Sequence, residues 1–433
     1  MLALELHTRD IPATYERFAR EIGVRSWKER VSCIKQEIKG NLFLQRYHLR
    51  ESAIAFQLEQ LRELQQRFDG AAVFDYNDHS HYPAAGFAAQ VLSVIDASSR
   101  TLAERFRARV RAGIRTNPAD LRALRLELTT ATHFLRAGNK VTWPEMSSHY
   151  VEGKRVCDLL VEDLGPLGLE LECKSFSEDT GRKITRREAL EFFWLVRSNH
   201  WKRLRAGTTG VVVVTTVKRK LSTAYSDRVA LAHLVASQAL SGQVGVLEMD
   251  GVTIRTLSFD APRFGSELRM SEGEHDHRRR VLDELTGTTN KEIVAMSTDA
   301  GGTLILAIQS REDDTLMGTL VRTLKDSAST QFTGQRAGMM VAGLDGLSAE
   351  QLLNVATQDE DSEAVPTALR IHASRFLGSA GRDHIVGAAF LSSSTLRPAV
   401  ADTLDSGGAA YNFPKRESSF WSDDFSGLFG QQG

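Results

Sequence analysis

The chain has 433 residues, 42% of them hydrophobic and 25% charged, and its 54 Lys and Arg residues nearly balance 55 Asp and Glu residues, for a net charge of −1. This composition is typical of a globular protein of two or three domains and excludes disordered and fibrous classes. A net charge so near zero also argues against a protein that coats nucleic acid through bulk positive charge.

The first residues and the cysteines indicate the cellular compartment in which the protein is expected. Residues 1–7 lack the basic and apolar regions of a signal peptide, and no apolar stretch reaches membrane-spanning length. The three cysteines, Cys33, Cys157 and Cys173, have neither the pattern of a disulfide framework nor that of a zinc finger. We therefore expect a cytoplasmic protein with no membrane partner.

Residues 1–115 are predicted to be helical. Amphipathic patterns cover residues 11–22, 26–38, 50–68 and 83–114, with a polar and aromatic loop at 75–82. His79 and His81 in that loop could bind a metal ion, but a lone His-x-His in a loop is more often ordinary surface chemistry. We interpret this part as a helical accessory domain for docking a partner protein or a second copy.

The next helix, at 118–137, carries a glutamate in its apolar stripe. The stripe has helical spacing and contains Glu127 among apolar residues, namely Leu124, Leu128, Ala131, Phe134 and Leu135. A carboxylate there is costly unless another group compensates for its burial. A metal ion is one compensation, and an ion pair with Arg125 or Arg155 is the other.

Two strand-like segments follow, at 156–161 and 169–175, joined by a turn around 165–168. Because strand side chains alternate between faces, Glu170, Glu172 and Lys174 share one face of the second segment. Asp158 lies on the first segment. Asp158 and Glu172 provide the oxygen ligands that Mg²⁺ or Mn²⁺ takes, and Glu170 is an alternative to Glu172 as ligand.

Lys174 adds a positive charge to these carboxylates. Its ammonium can orient a metal-bound water, or offset the charge that develops on a phosphate oxygen. The group of residues therefore suits phosphodiester hydrolysis.

An acidic residue on one strand, followed by Glu-x-Lys on the next, resembles the signature of the PD-(D/E)XK nuclease superfamily. In this chain the matching residues are Asp158 and then Glu172-Cys173-Lys174. The order of elements is similar over about residues 118–220, with a helix at 118–137, a second helix at 185–205 and an apolar strand at 210–217. Cys157 departs from the family pattern, which has proline at that position.

The resemblance implies a restriction-endonuclease-like mixed sheet flanked by helices, and a Mg²⁺-dependent endonuclease or exonuclease. The implied substrate is nucleic acid, with DNA favoured over RNA, in a setting such as bacterial restriction or antiviral defence. Asp158 and Glu172 would bind the metal ion, and Lys174 would position the attacking water. The Cys173 carbonyl and Glu127 would complete the metal shell.

Basic residues border the motif. Arg182, Lys183, Arg186 and Arg187 follow the Glu-x-Lys strand, and we expect them to contact nucleic-acid phosphates. Other basic groups lie at 105–115, 202–205 and 218–220. The alternative is that such residues complement helix dipoles or form solvated faces.

The remaining chain alternates between helices and strands. A helix at 222–243 and a hairpin around Asp250-Gly251 complete the motif domain, and residues 272–280 read as a charged linker. Strands are predicted at 303–309, 338–344 and 384–391, and helices at 314–329 and from residues 348 and 366. The resulting domains are 1–115, 116–260 and 261–433, the last an α/β domain whose tail, 402–433, is a docking segment or poorly ordered.

The C-terminal domain has an order of elements similar to that of the motif domain. Residues 304–310 align with 169–175, which places Ala307 and Gln309 at the positions of Glu172 and Lys174. One interpretation is a degenerate copy of the nuclease-like fold that serves in binding or assembly. The other is that any two strand–helix–strand units look alike in sequence.

Other functions remain open on the sequence alone. In one, the charged strand face is a salt-bridge lattice, Lys174 neutralises Glu172, and the protein binds or assembles a larger complex without catalysis. In another, residues 261–433 sense a ligand, although no glycine-rich phosphate loop supports this.

Overall fold

The computed structural model describes residues 5–67, 80–146, 155–260, 275–393, 396–400, 403–406 and 408–429, and the fold is mixed α/β. The helices are α1 (Ile11–Ile22), α2 (Arg25–Gly40), α3 (Leu44–Glu51), α4 (Ala53–Arg67), α5 (Tyr82–Ala97), α6 (Arg100–Arg115), α7 (Pro118–Arg136), α8 (Arg186–Leu204), α9 (Tyr225–Ser241), α10 (His275–Thr286), α11 (Leu316–Thr330), α12 (Ala349–Glu360) and α13 (Ala368–Leu377). The strands are β1 (Glu5–His7), β2 (Val141–Thr142), β3 (Leu159–Val161), β4 (Leu169–Phe176), β5 (Gly210–Val217), β6 (Gly245–Met249), β7 (Val252–Phe259), β8 (Glu292–Ser297), β9 (Thr303–Ser310), β10 (Ala337–Leu344), β11 (Ile385–Ser392), β12 (Leu396–Val400), β13 (Thr403–Ser406) and β14 (Ala410–Pro414).

The chain divides into two compact units. Unit one comprises the described parts of Met1–Ile34, Leu49–Thr180 and Leu316–Gly433, and unit two those of Lys35–His48 and Gly181–Thr315. These divisions do not coincide with the boundaries expected near residues 115 and 260. Within the described ranges, no helix combines the length and the apolar character needed to cross a membrane.

Unit one is built on a six-stranded mixed sheet. Its strand order is β14-β11-β10-β4-β3-β2. Strands β2, β3 and β4 are antiparallel neighbours, whereas β10 runs parallel to both β4 and β11. A separate three-stranded sheet has the order β1-β13-β12.

Both faces of the six-stranded sheet are covered, because its strands present apolar side chains to each side. Leu169, Leu171 and Cys173 of β4 belong to a core shared with α1 and α4–α7. Phe176 of the same strand belongs to a second core, formed with α11, α12 and α13. The expected alternation along β4 is therefore present, and it places Glu170, Glu172 and Lys174 on the face opposite the Leu169 side.

Unit two contains a five-stranded sheet of order β6-β7-β5-β9-β8. Strand β5 is parallel to β9 and antiparallel to β7, and β8 is antiparallel to β9. One face packs on α8 and α9, and Val212, Val214 and Ile305 on the other face pack with residues of α10. The hairpin predicted around Asp250-Gly251 is confirmed, with both residues at positive φ.

The prediction that the apolar strand at 210–217 belongs to the same sheet as the motif strands is wrong. Residues 210–217 form β5 in the sheet of unit two, and the strand parallel to β4 is β10, which was expected in a separate C-terminal domain. An apolar run buried on both faces fits the centre of either sheet, so its composition does not specify which neighbour it takes. The larger segment of unit two, Gly181–Thr315, is thus inserted in the chain between β4 and α11.

Smaller differences concern element ends. The helix expected at 83–114 is two helices, because Ser98 is extended and Ser99 caps the start of α6 through its side chain. The segment at 156–161 pairs only from Leu159, and the tail expected as a docking segment or poorly ordered contains β13 and β14. His79 lies outside the described residues.

Candidate active site

Asp158 lies at the end of the β3–β4 pair. Leu159 and Leu171 are the last paired residues of the two strands. Asp158 and Glu172 are the next residues beyond this pair, one on each strand, and therefore lie opposite each other. The Asp158 Oδ2 atom accepts a 2.7 Å hydrogen bond from the backbone N–H of Cys173. This bond fixes the carboxylate of one strand against the backbone of the next, beside Glu172.

Glu172 and Lys174 form an ion pair on one face of β4. Lys174 Nζ lies 2.6 Å from Glu172 Oε1, and the two side chains are 30% and 2% exposed. The other carboxylate oxygen, Glu172 Oε2, is buried and has no hydrogen-bond partner among the described residues. Glu172 therefore has one oxygen neutralised by Lys174 and one left without a donor.

Glu127 of α7 reaches the same group of carboxylates. It is 2% exposed, and its Oε1 atom accepts a 2.5 Å hydrogen bond from Arg109 of α6. Its Oε2 atom is buried and, within the described part of the chain, without a partner. The ion pair predicted as the alternative to a metal ion is thus present, but with Arg109 and not with Arg125 or Arg155.

The two buried glutamates resist ionisation. Burial and the neighbouring charge of Asp158 raise the pKa of Glu127 to about 8, although Arg109 opposes the shift. Burial and Asp158 likewise raise the pKa of Glu172 to about 8, with Lys174 opposing. Burial alone would lower the pKa of Lys174, but the carboxylate of Glu172 outweighs it and raises the pKa. Three carboxylates and two cations are thus electrostatically linked.

Glu170, which the sequence left as an alternative ligand, has partners of its own. Its two carboxylate oxygens accept hydrogen bonds from Thr333, at 2.9 Å from the backbone nitrogen and 2.6 Å from Oγ1. Thr333 lies just before β10, so this contact ties the start of β10 to β4. The contacts of Glu170 favour a structural role and leave Glu172 as the carboxylate beside Lys174.

Cys173 is fully packed between the two sides of the site. Its side chain is 4% exposed and its Sγ lies 3.9 Å from Thr130 Oγ1 of α7. Burial, with the charge of Asp158, raises the pKa of its thiol well above the ordinary value. The residue is therefore a neutral packing group whose N–H orients Asp158.

The described residues contain no group of three His, Cys, Asp or Glu side chains arranged to hold a metal ion. The full shell that the resemblance implied, with Glu127 beside Asp158 and Glu172, is therefore not assembled. One oxygen of Glu127 accepts a hydrogen bond from Arg109, and one oxygen of Asp158 accepts a hydrogen bond from the Cys173 N–H. What remains is a pair, Asp158 and Glu172.

The four basic residues expected at nucleic-acid phosphates all belong to unit two and all have acidic partners there. Arg182 pairs with Glu292, and Lys183 Nζ lies 3.3 Å from an oxygen of Glu312. Arg186 Nε lies 3.9 Å from Glu292, and Arg187 Nε donates a 2.9 Å hydrogen bond to Glu191. Each of these four basic side chains is therefore paired with an acidic side chain of unit two.

Two residues of the site were not found from the sequence. The sequence shows Arg109 only as one of several arginines at 105–115 and gives no reason to single out Thr333. Helical spacing gives no distance between α6 and α7, and Thr333 is 163 residues from Glu170 in the chain. A signal for Arg109 was present, since a buried glutamate in an apolar stripe requires a cation nearby.

No protein-family model, curated protein or solved structure matches this chain.

Proposed function

We propose that the chain is a metal-dependent nuclease of the PD-(D/E)XK type that hydrolyses phosphodiester bonds, most readily in DNA. The observation that carries the proposal is the meeting of Asp158 and Glu172 at one end of the β3–β4 pair, with the Lys174 ammonium 2.6 Å from Glu172. These are the three groups that the signature requires on two adjacent strands.

The order of elements in unit one supports a restriction-endonuclease-like fold. A helix, α7, precedes three antiparallel strands, β2, β3 and β4. A helix, α11, and then a parallel neighbour of β4, β10, complete the sequence once the inserted unit two is passed. The order of element types is the one that the signature implies, but α11 and β10 take the places predicted for the helix at 185–205 and the strand at 210–217.

The donor set suits Mg²⁺ or Mn²⁺, which prefer carboxylate oxygens and usually need only one or two of them. Asp158 and Glu172 would hold the ion, and the buried Glu172 Oε2 atom has no hydrogen-bond partner among the described residues. When bound, the ion would supply Lewis-acid stabilisation of phosphate charge and lower the pKa of its water. Glu127 remains at the edge of the site, held by Arg109.

The protein side chains have distinct roles in this proposal. Lys174 keeps its proton, since Glu172 raises its pKa, so its Nζ acts as a fixed positive charge and not as a base. Asp158 is oriented by the Cys173 N–H and stays in place when substrate arrives. Asp158 and Lys174 are only partly buried, which leaves the site open on their side.

Unit two has the same local strand arrangement but different chemistry. There β9 lies between antiparallel β8 and parallel β5, as β4 lies between β3 and β10. Ala307 and Gln309 stand at the positions aligned with Glu172 and Lys174, and the Gln309 amide donates to Thr216 Oγ1 at 3.0 Å. We infer that unit two, and not the 261–433 domain predicted from the sequence, is a degenerate copy that serves in binding or assembly.

The test is incubation of the purified protein with supercoiled plasmid, linear duplex DNA and RNA, in Mg²⁺, in Mn²⁺ and in EDTA. We expect cleavage of DNA that needs the metal ion and is lost in Lys174→Ala. Lys140→Ala is the matched control, because Lys140 is exposed and pairs with Glu162 outside the site. Cleavage that survives in Lys174→Ala, or in EDTA, would contradict the proposal.

A non-catalytic binding or assembly protein is the second candidate, favoured by the ion pairs that already neutralise Glu127 and Glu172. It predicts that Mg²⁺ and Mn²⁺ leave stability unchanged and that Asp158→Ala alters stability without altering any metal response. Thermal unfolding with and without Mn²⁺ separates the two candidates.

A further inference from the structure

A small cavity opens at the carboxyl ends of three parallel strands in unit one. Its lining comes from the ends of β4, β10 and β11 and from α7. Strand β10 runs parallel to both of its neighbours, so the three carboxyl ends meet at one edge of the sheet. In open α/β sheets, this edge is where ligands characteristically bind.

Two arginines one helical turn apart face this cavity. Arg122 pairs with Glu51, and its buried Nε atom lies 3.4 Å from an oxygen of Asp345 without forming a hydrogen bond to any described residue. Arg125 makes neither an ion pair nor a hydrogen bond within the described ranges, and its one favourable charge interaction is with Asp345. The guanidinium groups of Arg122 and Arg125 therefore have N–H groups at this cavity that do not donate a hydrogen bond to the described residues.

The burial of Arg125 is unfavourable without an anion. Burial and the like charge of Arg122 lower its pKa, and Asp345 opposes the shift only in part. Buried charges in folded proteins are normally paired, so a half-buried guanidinium without an acceptor is a departure that requires an explanation.

A hydroxyl group adds a further donor. Ser175 lines the cavity, where its hydroxyl can donate a hydrogen bond to a ligand. The cavity has a volume of about 50 Å³. A single water needs about 10–15 Å³ by the same measure, so the space exceeds one water and suits a group of a few heavy atoms.

We propose that this cavity binds a terminal phosphate of the nucleic-acid strand, held by the guanidinium groups of Arg122 and Arg125 and the hydroxyl of Ser175. The inference rests on the proposed nuclease function for its source of phosphate. Guanidinium forks match the oxygens of a phosphate, and the cavity is too small for a base or sugar. Ser175 directly follows Lys174, so the cavity and the carboxylates share the carboxyl end of β4.

Substitution of Asp345 is expected to change phosphate affinity in the direction opposite to substitution of Arg125. It is the acidic side chain of the lining and is 41% exposed, beside Arg122. A phosphate would compete with Asp345 for the arginines. Asp345→Asn is therefore expected to strengthen phosphate binding, whereas Arg125→Gln weakens it.

The experiment measures fluorescence anisotropy of labelled oligonucleotides in EDTA, where no metal-dependent cleavage occurs. The oligonucleotides carry a 5′-phosphate, a 3′-phosphate or no terminal phosphate. Wild type is expected to bind one phosphorylated form about tenfold or more tightly than the unphosphorylated one. Arg125→Gln should lose that preference and Asp345→Asn should increase it. Arg100→Gln, an exposed arginine of α6, is the control and should keep it.

Equal affinity for all three oligonucleotides in wild type would overturn the proposal, as would a preference that Arg125→Gln retains. Binding of orthophosphate alone, without a preference for any terminus, would overturn the assignment to a strand end. Because the readout needs no cleavage, a preserved preference in a protein that does not cut DNA would refute the proposed function and leave the phosphate site standing.

Discussion

The backbone N–H of Cys173 donates a 2.7 Å hydrogen bond to Asp158 Oδ2 and so joins the two motif strands at the point where their carboxylates meet. An asparagine at 158 retains an oxygen that can accept this bond, but it lacks the charge. Comparing Asp158→Asn with Asp158→Ala, which removes the acceptor as well, therefore separates a structural role of the side chain from a catalytic one.

Asp158→Asn is predicted to reduce Mg²⁺-dependent DNA cleavage by about 10²-fold or more with little change in stability. Asp158→Ala should lose cleavage too and should also be about 1.5–3 kcal/mol less stable than Asp158→Asn, because the Cys173 N–H loses its acceptor. Urea unfolding and plasmid cleavage measure the two effects. Equal stability of the two variants would contradict the structural half of the prediction.

Lys174→Met is predicted to abolish cleavage while divalent-ion binding persists. Lys174 competes with a metal ion for Glu172, so its removal leaves the carboxylate free to bind the ion. Titration with Mn²⁺, followed by electron paramagnetic resonance, reports the binding, and plasmid cleavage reports the activity. A variant that neither binds Mn²⁺ nor keeps wild-type stability would favour the salt-bridge lattice instead.

The contribution of Glu127 and Glu172 to the stability of the metal-free protein is predicted to fall as pH rises from 4.5 to 8. Glu127 and Glu172 have pKa values raised from 4.5 to about 8, so the folded state binds these protons more tightly than the unfolded state does. That contribution is complete below pH 4.5 and is lost as pH passes through 8.

Glu127→Gln should flatten this decline, because glutamine does not titrate. The measurement is urea unfolding in EDTA at pH 5, 6, 7 and 8. Glu16→Gln, an exposed glutamate of α1, is the control and should retain the wild-type slope. A Glu127→Gln slope as steep as that of wild type would show that the glutamate is ionised at neutral pH.

Glu170→Gln and Thr333→Val are predicted to lower stability by about 1–3 kcal/mol each, because both disrupt the buried contact between β4 and the residues before β10. Cleavage per folded molecule should stay close to wild type. A loss of cleavage in Glu170→Gln with stability intact would instead assign Glu170 to the metal ion.

His133 is predicted to destabilise the protein in acid. Its ring stacks on Phe429 with centroids 4.9 Å apart, and burial lowers its pKa to about 4 from an ordinary value of 6.5. The unfolded state therefore takes up a proton first, and stability is lost as pH falls from 6.5 through 4. His133→Phe should remove this part of the acid transition in circular dichroism, and an unchanged transition would refute the prediction.

Local sequence patterns predicted much of unit one. The helix around Glu127, the motif strands and the later strands and helices all have strong periodicity, and the structure places them within a few residues of the expected positions. The alternation of Glu170, Glu172 and Lys174 against Leu169 and Leu171 follows from strand geometry alone.

The partners of these elements could not be predicted in the same way. Which strand lies parallel to β4 depends on packing across more than 150 residues, and β5 and β10 are both apolar enough for the position. The same limit hid Arg109 and Thr333, whose contacts with Glu127 and Glu170 join distant elements. Periodicity records which face of an element is buried, but not what covers it.

Binding of a divalent cation by Asp158 and Glu172 is the central claim, and isothermal titration with Mn²⁺ at pH 8 tests it most directly. Wild type and Glu162→Gln, whose substitution lies outside the site, should each bind one ion, and Asp158→Asn and Glu172→Gln should bind none. Absence of binding by wild type, or undiminished binding by both site variants, would contradict the claim.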